Sequence, residues 1–409
     1  MNVRADRFPL FDSLRAMAAL SILTLHSAIL AGASTPGAPL GRYVAKLDVG
    51  VPIFFVISGF LLYRPFAKAR YLAVPAPGAA GYAWRRVLRI VPAYWVALTV
   101  ILIVFHGAFT PRSVATYYGF LQIYDKSHAG GGIAQAWTLC VEMTFYALLP
   151  LWAAGMRRLP ARRPGGVVRT ELVPLGLLAA GSLAYNLAVA VWRLHGVRYV
   201  LSPSMLILPT WLLQFAAGMA LAVLSVDVSA RERPPRAVRL LGRLPSLAWL
   251  AALAAFVVAT LAVVPSGGPW GVYSPGQWIA RQLLYTTVAV GLVLPAVFGD
   301  PAVGVVRRVL ANRALLFVGL VSYPIYLWHV AVLDQLRYGW GFGAHVFIHP
   351  YVHWVLLGFA CTMVVAVASY YVVERPALRL KGLFDYTRAE GALAEPAPLA
   401  PPAVPVRRS

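Results

Sequence analysis

The sequence predicts an all-α integral membrane protein, a polytopic bundle of about ten transmembrane helices. The mean hydropathy of the chain is +0.71, and 60% of its 409 residues are hydrophobic while only 12% are charged. Soluble domains usually carry about 25% charged residues, so these values exclude a soluble enzyme with a single membrane anchor. Apolar segments also recur along the chain at the length of about 20 residues that a membrane-crossing helix needs.

The predicted spans account for most of the chain and leave no loop long enough to form a separate folded domain. We assign residues 1–380 to one transmembrane domain, and residues 381–409, which are rich in Pro and Ala, to a disordered cytoplasmic tail. The ten predicted spans are 9–30, 48–66, 91–108, 137–155, 172–192, 206–225, 246–265, 282–299, 314–333 and 351–372.

Basic residues predict the orientation of the bundle. With the N-terminus in the cytoplasm, 27 Lys and Arg residues fall on the cytoplasmic side and 8 on the other. Because cytoplasmic loops carry the excess of Lys and Arg, we predict cytoplasmic termini in a multi-pass protein of the inner (plasma) membrane. The stretch AGAS at 31–34 resembles a signal-peptidase site, but the preceding apolar run is too long and contains an arginine, so we expect no cleavage.

Composition also limits the ligands to be expected. The net charge is +22, but the basic residues flank apolar segments and form no polar domain, so we expect contact with membrane lipids and not with nucleic acid. The two cysteines, Cys140 and Cys361, lie inside apolar segments without metal-ligand spacing. We therefore predict neither a metal site nor a disulfide.

The first predicted span contains two ionisable residues. Arg15 and His26 are eleven positions apart, so on a helix they differ by only ~20° in direction and lie ~16 Å apart along the axis. Asp12 precedes Arg15 by three positions, where an ion pair can form. Either Arg15 reaches the cytoplasmic headgroups while His26 bonds a neighbouring helix, or both residues face an internal polar site.

Two further ionisable residues lie in other spans. Glu142 in the fourth span and His329 in the ninth fall, like His26, in the half of the bundle predicted to be nearer the outside. A charged group at the centre of a bilayer costs roughly 2.5–3.5 kcal/mol on insertion scales. Similar depth in separate helices favours one shared internal site, although a structural Glu–Arg pair remains the alternative for Glu142.

A basic cluster precedes the third predicted span in the segment WRRVLRIVP. Arg86 and Arg89 have the i, i+3 spacing that places them on one helical face. Arginine binds phosphate through two parallel hydrogen bonds, so the pair is a candidate phosphate site. An ordinary positive flank of a membrane span is the alternative.

These segments together resemble the membrane acyltransferase 3 family, whose members O-acylate sugars and related molecules. The resemblance covers most of residues 8–376 and matches the form without the additional periplasmic hydrolase-like domain that some relatives carry. Six segments carry it, in the order of the family. They are LRAMAALSILTLH with Arg15 and His26, DVGVPIFFVISGFLL at 48–62, RRVLRIVPAYW, WTLCVEMTFY at 137–146, GLVSYPIYLWH at 319–329 and YYVVERP at 370–376.

The resemblance implies an acyl group, acetyl by default, that is taken from cytoplasmic acyl-CoA without a permanently bound cofactor. The implied acceptor is a hydroxyl group of a cell-envelope polysaccharide, of a lipid-linked sugar or glycolipid, or of a secondary metabolite. The resemblance also implies that His26 is the essential imidazole and that Arg15 and the pair Arg86 and Arg89 are required.

Two mechanisms remain open. His26 removes the proton of the acceptor hydroxyl as this hydroxyl attacks the thioester, or His26 attacks the thioester itself and carries the acyl group. In both, we expect an adjacent Glu142 to orient the ring, Arg86 and Arg89 to hold the CoA phosphates, and Arg15 to lie at the mouth of the channel.

The remaining candidates would line the site. We expect hydrogen bonds to a developing oxyanion from Ser58, Tyr323 and Tyr326, and a position near the site for His329. Trp137 would stack on a sugar ring or anchor the chain at the membrane interface.

Two other classes of function fit parts of the pattern. Ten spans with buried ionisable groups also suit a proton-coupled transporter or exporter, but a carrier does not require the cytoplasmic Arg-x-x-Arg pair. A non-catalytic membrane scaffold would tolerate the loss of His26. No Gly-x-Ser-x-Gly, Walker or His-Glu-x-x-His motif points to a soluble type of enzyme.

Overall fold

The computed structural model describes residues 8–35, 38, 40–105, 110–160, 164–192, 197–198, 203–266, 271–299, 303–342 and 349–384. In this part of the chain nearly every element is a helix, which confirms the predicted all-α class. Two strands of two residues each, β1 (Val197–Arg198) and β2 (Val272–Tyr273), pair in antiparallel fashion. The predicted tail lies outside the described residues from position 385 onward.

Eight of the described helices are long and apolar enough to cross a membrane, and two bent helix pairs bring the number to ten, as predicted. Short 3₁₀ and π-helical turns link several of them. In chain order the helices are α1 (Leu10–Leu30), α2 (Gly41–Val44), α3 (Gly50–Tyr71), α4 (Ala79–Val104), α5 (Pro111–Tyr118), α6 (Trp137–Arg158), α7 (Pro164–Trp192), α8 (Pro203–Leu206), α9 (Leu208–Ala230), α10 (Arg236–Arg243), α11 (Ser246–Ala262), α12 (Pro275–Val297), α13 (Val305–Leu310), α14 (Arg313–Leu320), α15 (Ser322–Asp334), α16 (Pro350–Ser369) and α17 (Arg375–Arg379).

One predicted span is interrupted by a bend, and another is preceded by a short helix at a sharp angle. The ninth consists of α14 and α15, which are bent by 71° at Val321. The seventh is preceded by the short helix α10, which lies at 88° to α11. Pro245 separates α10 from α11, and a proline has no N–H with which to continue a helix across that position.

The third span begins earlier than predicted. Helix α4 starts at Ala79, twelve positions before the predicted start at residue 91, and continues through Pro92. Arg86 and Arg89 are therefore part of the helix itself, where their i, i+3 spacing places both on one face. Residues 106–108 of the predicted span lie outside the described residues.

Helices α3 and α9 pack closely because each has a glycine at the contact. A Cβ atom on Gly59 would lie 2.3 Å from the carbonyl oxygen of Phe215, and one on Gly218 would lie 2.2 Å from that of Val56. No real side chain tolerates such distances to backbone atoms. Small residues allow this approach in membranes, where helix association depends on packing.

Replacing Gly218 by alanine is therefore expected to destabilise the bundle by about 1–3 kcal/mol, the usual cost of overpacking. Thermal unfolding in detergent measures the effect. The matched control is Gly155→Ala in α6, where no atom lies within 4 Å of the added Cβ and alanine is the better helix former. An equal unfolding temperature for the two variants would contradict the close contact of α3 with α9.

Two of the eight basic residues on the side predicted to be non-cytoplasmic are buried. Lys46 and Arg281 are 4% and 1% exposed. Arg281 pairs with Asp48, and its guanidinium lies 4.4 Å from the ring centre of Tyr285. The Lys46 ammonium donates to the carbonyl of Val263 at 2.6 Å. These contacts compensate for lost hydration, so the two charges link helices instead of marking a loop.

Candidate active site

A cavity of about 250 Å³ lies between α1, α3, α4, α6 and α15. Helix packing brings residues that are more than 300 positions apart in the sequence to one wall. Seven of the ten predicted site residues line this cavity. They are Arg15, Ser58, Arg86, Arg89, Glu142, Tyr323 and Tyr326.

Three arginines dominate the charge of the cavity, and two of them have a carboxylate partner. Arg15 is paired with Asp12 at 2.9 Å, as the spacing predicts, and Arg89 lies 4.0 Å from Glu374. No carboxylate in the described part of the chain pairs with Arg86, whose buried Nε has no hydrogen-bond partner. An anionic ligand would supply the missing acceptor.

Arg89 is held against the wall of the cavity. Its guanidinium lies 5.9 Å from the ring centre of Tyr323, within the range of a cation–π contact. The hydroxyl of Tyr323 donates to the carbonyl oxygen of Ile90 at 2.7 Å. This bond fixes the ring in α15 against the next turn of α4, so the guanidinium lies on a rigid surface.

Glu142 is held by the hydroxyl groups of two other residues that line the cavity. Its carboxylate accepts hydrogen bonds from Ser58 at 2.8 Å and from Tyr146 at 3.1 Å. The prediction that Glu142 orients the ring of His26 is wrong, because the described contacts of that ring go to Ile22 and His329. The carboxylate faces the cavity, and the histidine lies elsewhere.

His26 and His329 form a pair across α1 and α15. Nε2 of His329 lies 3.2 Å from Nδ1 of His26, and their ring centres are 4.9 Å apart. Nδ1 of His329 lies 2.9 Å and 3.1 Å from the carbonyl oxygens of Tyr326 and Ile325. Carbonyl oxygens only accept, so Nδ1 of a neutral His329 carries the hydrogen and Nε2 is an acceptor.

This assignment determines the tautomer of His26. Its Nδ1 faces two acceptors, Nε2 of His329 and the carbonyl oxygen of Ile22 at 2.9 Å. Nδ1 of His26 therefore carries the hydrogen, which leaves Nε2 of the neutral ring with a lone pair. A lone pair at a fixed position is what a general base or a nucleophile requires.

The two histidines are not among the residues that line the cavity. His329 is completely buried, and its ring centre lies 5.7 Å from that of Tyr326, which does line the cavity. The predicted shared site of His26, Glu142 and His329 is therefore divided into the cavity with Glu142 and the histidine pair behind Tyr326.

The predicted oxyanion donors are already engaged. The hydroxyl hydrogens of Ser58 and Tyr323 are donated to Glu142 and to the carbonyl of Ile90. That of Tyr326 is donated to the carbonyl oxygen of Gln135 at 2.9 Å. A hydroxyl has only one hydrogen to donate, so in this conformation none of the three is free to bind an oxyanion. They shape the cavity wall instead.

Trp137 does not line the cavity. Its ring packs against Trp211 of α9 with 5.3 Å between the ring centres. The predicted stacking on a sugar is therefore not the contact that the structure shows. The residue instead packs the beginning of α6 against α9.

Three site residues were missed in the sequence. Tyr146 follows Glu142 by four positions, the spacing at which it can donate to that carboxylate. Thr138 lies 2.8 Å from the hydroxyl of Tyr326 and lines the cavity. Glu374, which lies near Arg89, belongs to the segment YYVVERP. A carboxylate directly after the last predicted apolar span was the signal that could have identified it.

A Ser-His-Asp cluster in the loop after α5 is no hydrolase triad. Ser127 Oγ and Asp125 Oδ2 both lie near Nδ1 of His128, at 2.9 Å and 3.0 Å. A triad needs its serine and its carboxylate at opposite ring nitrogens. Hydrogen bonds from Ser127 and Arg112 hold the pKa of Asp125 well below its usual range, so the cluster stabilises the loop. No group of metal-binding side chains occurs among the described residues.

Comparisons with known proteins identify the family of the chain. The family model of the acyltransferase domain Acyl_transf_3 matches residues 9–371. The chain is 29% identical to the exopolysaccharide production protein ExoZ of Rhizobium meliloti, over 83% of this chain and 92% of that protein. It is 26% identical to nodulation protein 10 of Rhizobium leguminosarum, over 91% of this chain and 93% of that protein.

A third relative is named for its chemistry. The chain is 23% identical to the peptidoglycan O-acetyltransferase OatA of Listeria monocytogenes, over 92% of this chain and 57% of that protein. No solved structure gives a significant match. Because the family match spans nearly the whole helix bundle, the chain belongs to the Acyl_transf_3 family and is a multi-pass membrane O-acyltransferase.

Proposed function

We propose that this enzyme transfers an acyl group, acetyl by default, from cytoplasmic acyl-CoA to a hydroxyl group of a sugar-containing acceptor at the inner membrane. The observation that carries the proposal is the lone pair on Nε2 of His26, which follows from the contacts of its Nδ1. The names of two relatives, which refer to exopolysaccharide production and peptidoglycan O-acetylation, support an acceptor in the cell envelope.

The arginines of the cavity suit the phosphates of the donor. CoA carries several phosphate groups, and Arg86 has a buried nitrogen without a partner in the cavity. Arg15 and Arg89 keep carboxylate partners and add positive charge beside it. The basic flank of α4 belongs to the side predicted to be cytoplasmic, where acyl-CoA is made. We therefore place the nucleotide end of the donor at these arginines.

The remaining length of the donor fits the depth of the site. Arg15 and His26 lie ~16 Å apart along α1, which is of the order of an extended pantetheine arm. This arm would pass Ser58 and Glu142, whose carboxylate lies in the cavity wall and accepts hydrogen bonds. Its thioester would arrive beside Tyr326 and the histidine pair. A shift of the Tyr326 ring would connect the two parts of the site.

Two balanced routes lead from there to the product. As a general base, Nε2 of His26 takes the proton of the acceptor hydroxyl while its oxygen attacks the thioester carbon. The C–S bond then breaks, and the CoA thiolate takes the proton from the imidazolium. As a nucleophile, Nε2 itself attacks the thioester carbon and displaces the CoA thiolate. The acceptor oxygen then attacks the acyl-imidazolium, the N–acyl bond breaks, and the proton of the hydroxyl passes to the thiolate. His329 stabilises the charged ring in both routes by accepting from Nδ1.

Purified full-length protein in liposomes tests the proposal. Radiolabelled acetyl-CoA is supplied on the face that carries the termini, together with membrane-derived glycolipid and polysaccharide acceptors. We expect label in the glycan fraction and release of free CoA in equal amount. Transport of the acceptor without acylation, with intact acetyl-CoA, would contradict the proposal and favour a carrier.

A further inference from the structure

Helix α10 has the geometry of a helix that lies on a membrane surface. It makes an angle of 88° with the membrane-spanning helix α11, so its axis runs nearly parallel to the membrane plane. None of its eight residues is buried. Short helices with one basic and one apolar face rest at the boundary of headgroups and acyl chains.

The basic residues of α10 share one direction. Arg236, Arg239 and Arg243 have the spacing i, i+3, i+7, which places them within an arc of about 60° on a helix. All three are exposed, and no ion pair in the described part of the chain engages them. These three residues, here called the arginine row, therefore present three positive charges on the protein surface.

The end of α10 is fixed to the bundle by a buried arginine. Arg307 is 0% exposed and donates to the carbonyl oxygens of Gly242 at 3.1 Å, Leu241 at 3.4 Å and Phe298 at 2.6 Å. Because α13 thereby joins the ends of α10 and α12, the arginine row keeps its position relative to the membrane-spanning helices.

A cleft of about 340 Å³ opens behind α10. Arg239 lies at its rim, and its apolar walls come from three elements, with Val228 on α9, Val238 on α10 and Val297 on α12. The cleft thus combines a cationic rim with apolar walls, to which Ser225 and Ser229 of α9 add two hydroxyl groups. Phospholipids have the complementary arrangement of a phosphate joined to acyl chains.

The position of α10 along the bundle indicates which leaflet of the membrane it contacts. Arg231 follows α9 and pairs with Asp227 at 2.7 Å, and Asp227 also accepts from Tyr71 at the end of α3. The loop after α3 leads directly to the arginines of α4. Residues 231–243 therefore belong to the basic side of the protein, which the positive-inside rule assigns to the cytoplasm. Anionic lipids are concentrated in that leaflet.

We propose that α10 and the cleft behind it form a binding site for an anionic phospholipid. Arg236, Arg239 and Arg243 contact the phosphate and the acidic headgroup, while an acyl chain enters the cleft between Val238 and Val297. The site does not overlap the acyl-transfer cavity and does not depend on the proposed donor. It ties the beginning of α11 to the membrane surface.

Lipid binding to the full-length protein tests this site. Purified protein in detergent is titrated with phosphatidylglycerol or phosphatidylcholine, and retained lipid is counted by native mass spectrometry. The variant R236Q/R239Q/R243Q is expected to bind phosphatidylglycerol about 100-fold more weakly, since each arginine near a membrane surface contributes a factor of about five. The single variant Arg239→Gln is expected to lose about fivefold and decides the question if the triple variant does not fold.

A variant that loses the same number of charges elsewhere tests whether lipid binding depends on this site or only on the net charge of the protein. R157Q/R158Q/R313Q also removes three exposed arginines, from the end of α6 and the beginning of α14, and should bind phosphatidylglycerol like the unmodified protein. Equal losses in both triple variants, or equal retention of phosphatidylcholine, would overturn the proposal. Displacement of the lipid by equimolar glycerol phosphate would also overturn it, because the site would then bind a free phosphate.

Discussion

Replacement of His26 by alanine is expected to abolish acyl transfer while the protein remains folded. The lone pair on Nε2 of His329 accepts from Nδ1 of His26, so the pair leaves the lone pair on Nε2 of His26 for chemistry, and Nδ1 of His26 is held by Ile22 and His329. General base catalysis contributes about 10²–10⁴ in rate, so the loss should be at least of this size. The initial rate of label transfer from acetyl-CoA to the acceptor measures it.

The matched control removes an imidazole that takes no part in the site. His128→Ala changes the loop cluster with Asp125 and Ser127 and a ring contact with Tyr117. None of these residues lines the cavity, so the transfer rate should equal that of the unmodified enzyme. A single turnover without acceptor separates the two routes, because only the nucleophilic route leaves an acyl group on His26 that mass spectrometry detects. Transfer by His26→Ala at the unmodified rate would refute its chemical role.

Replacement of Arg86 by glutamine is expected to raise the KM for acetyl-CoA by about 10–100-fold. This factor corresponds to the binding free energy that one hydrogen bond to a charged group contributes. Arg89→Gln should raise it less, because Glu374 already shares the charge of Arg89. The kcat should fall little in either variant, since neither arginine reaches the reacting atoms. Steady-state kinetics over a range of acetyl-CoA concentrations separates the two constants.

Two controls make the result specific for phosphate. Arg85→Gln alters the neighbouring arginine, which is not among the residues that line the cavity, and should leave the KM unchanged. Acetyl-pantetheine, which has no phosphates, should be used equally well by the unmodified enzyme and by Arg86→Gln. A KM increase of the same size with this truncated donor would show that Arg86 does not recognise phosphate.

The sequence predicted those features that lie within one helix. Arg86 and Arg89 share a face of α4, and Asp12 pairs with Arg15, because spacing along a regular helix determines direction. The number of spans and the all-α class followed from apolar length alone. The resemblance to the acyltransferase 3 family is confirmed by the match over residues 9–371.

Contacts between helices could not be predicted from the sequence. His26 and His329 are separated by 303 positions, and no periodicity in the sequence indicates that they meet. Nor does the sequence indicate that Glu142 lies in the cavity wall, apart from both histidines. The hydroxyl groups of Ser58, Tyr323 and Tyr326 were reasonable oxyanion donors until their acceptors were known. Each has a single hydrogen, and the tertiary neighbours decide which acceptor receives it.

We place the donor arm in the cavity between the arginines and the histidine pair. Ser58 lies in the wall of this cavity, and its replacement by cysteine, with Cys140 and Cys361 changed to serine, introduces a single reporter thiol. Maleimide labelling of this thiol, with and without saturating desulfo-CoA, is the sharpest test of this placement, because desulfo-CoA has no thiol of its own to react with maleimide. We expect desulfo-CoA to slow the labelling, and we expect the labelled enzyme to lose acetyl transfer. Labelling that is as fast with desulfo-CoA as without it, followed by undiminished transfer, would show that the donor arm does not pass Ser58.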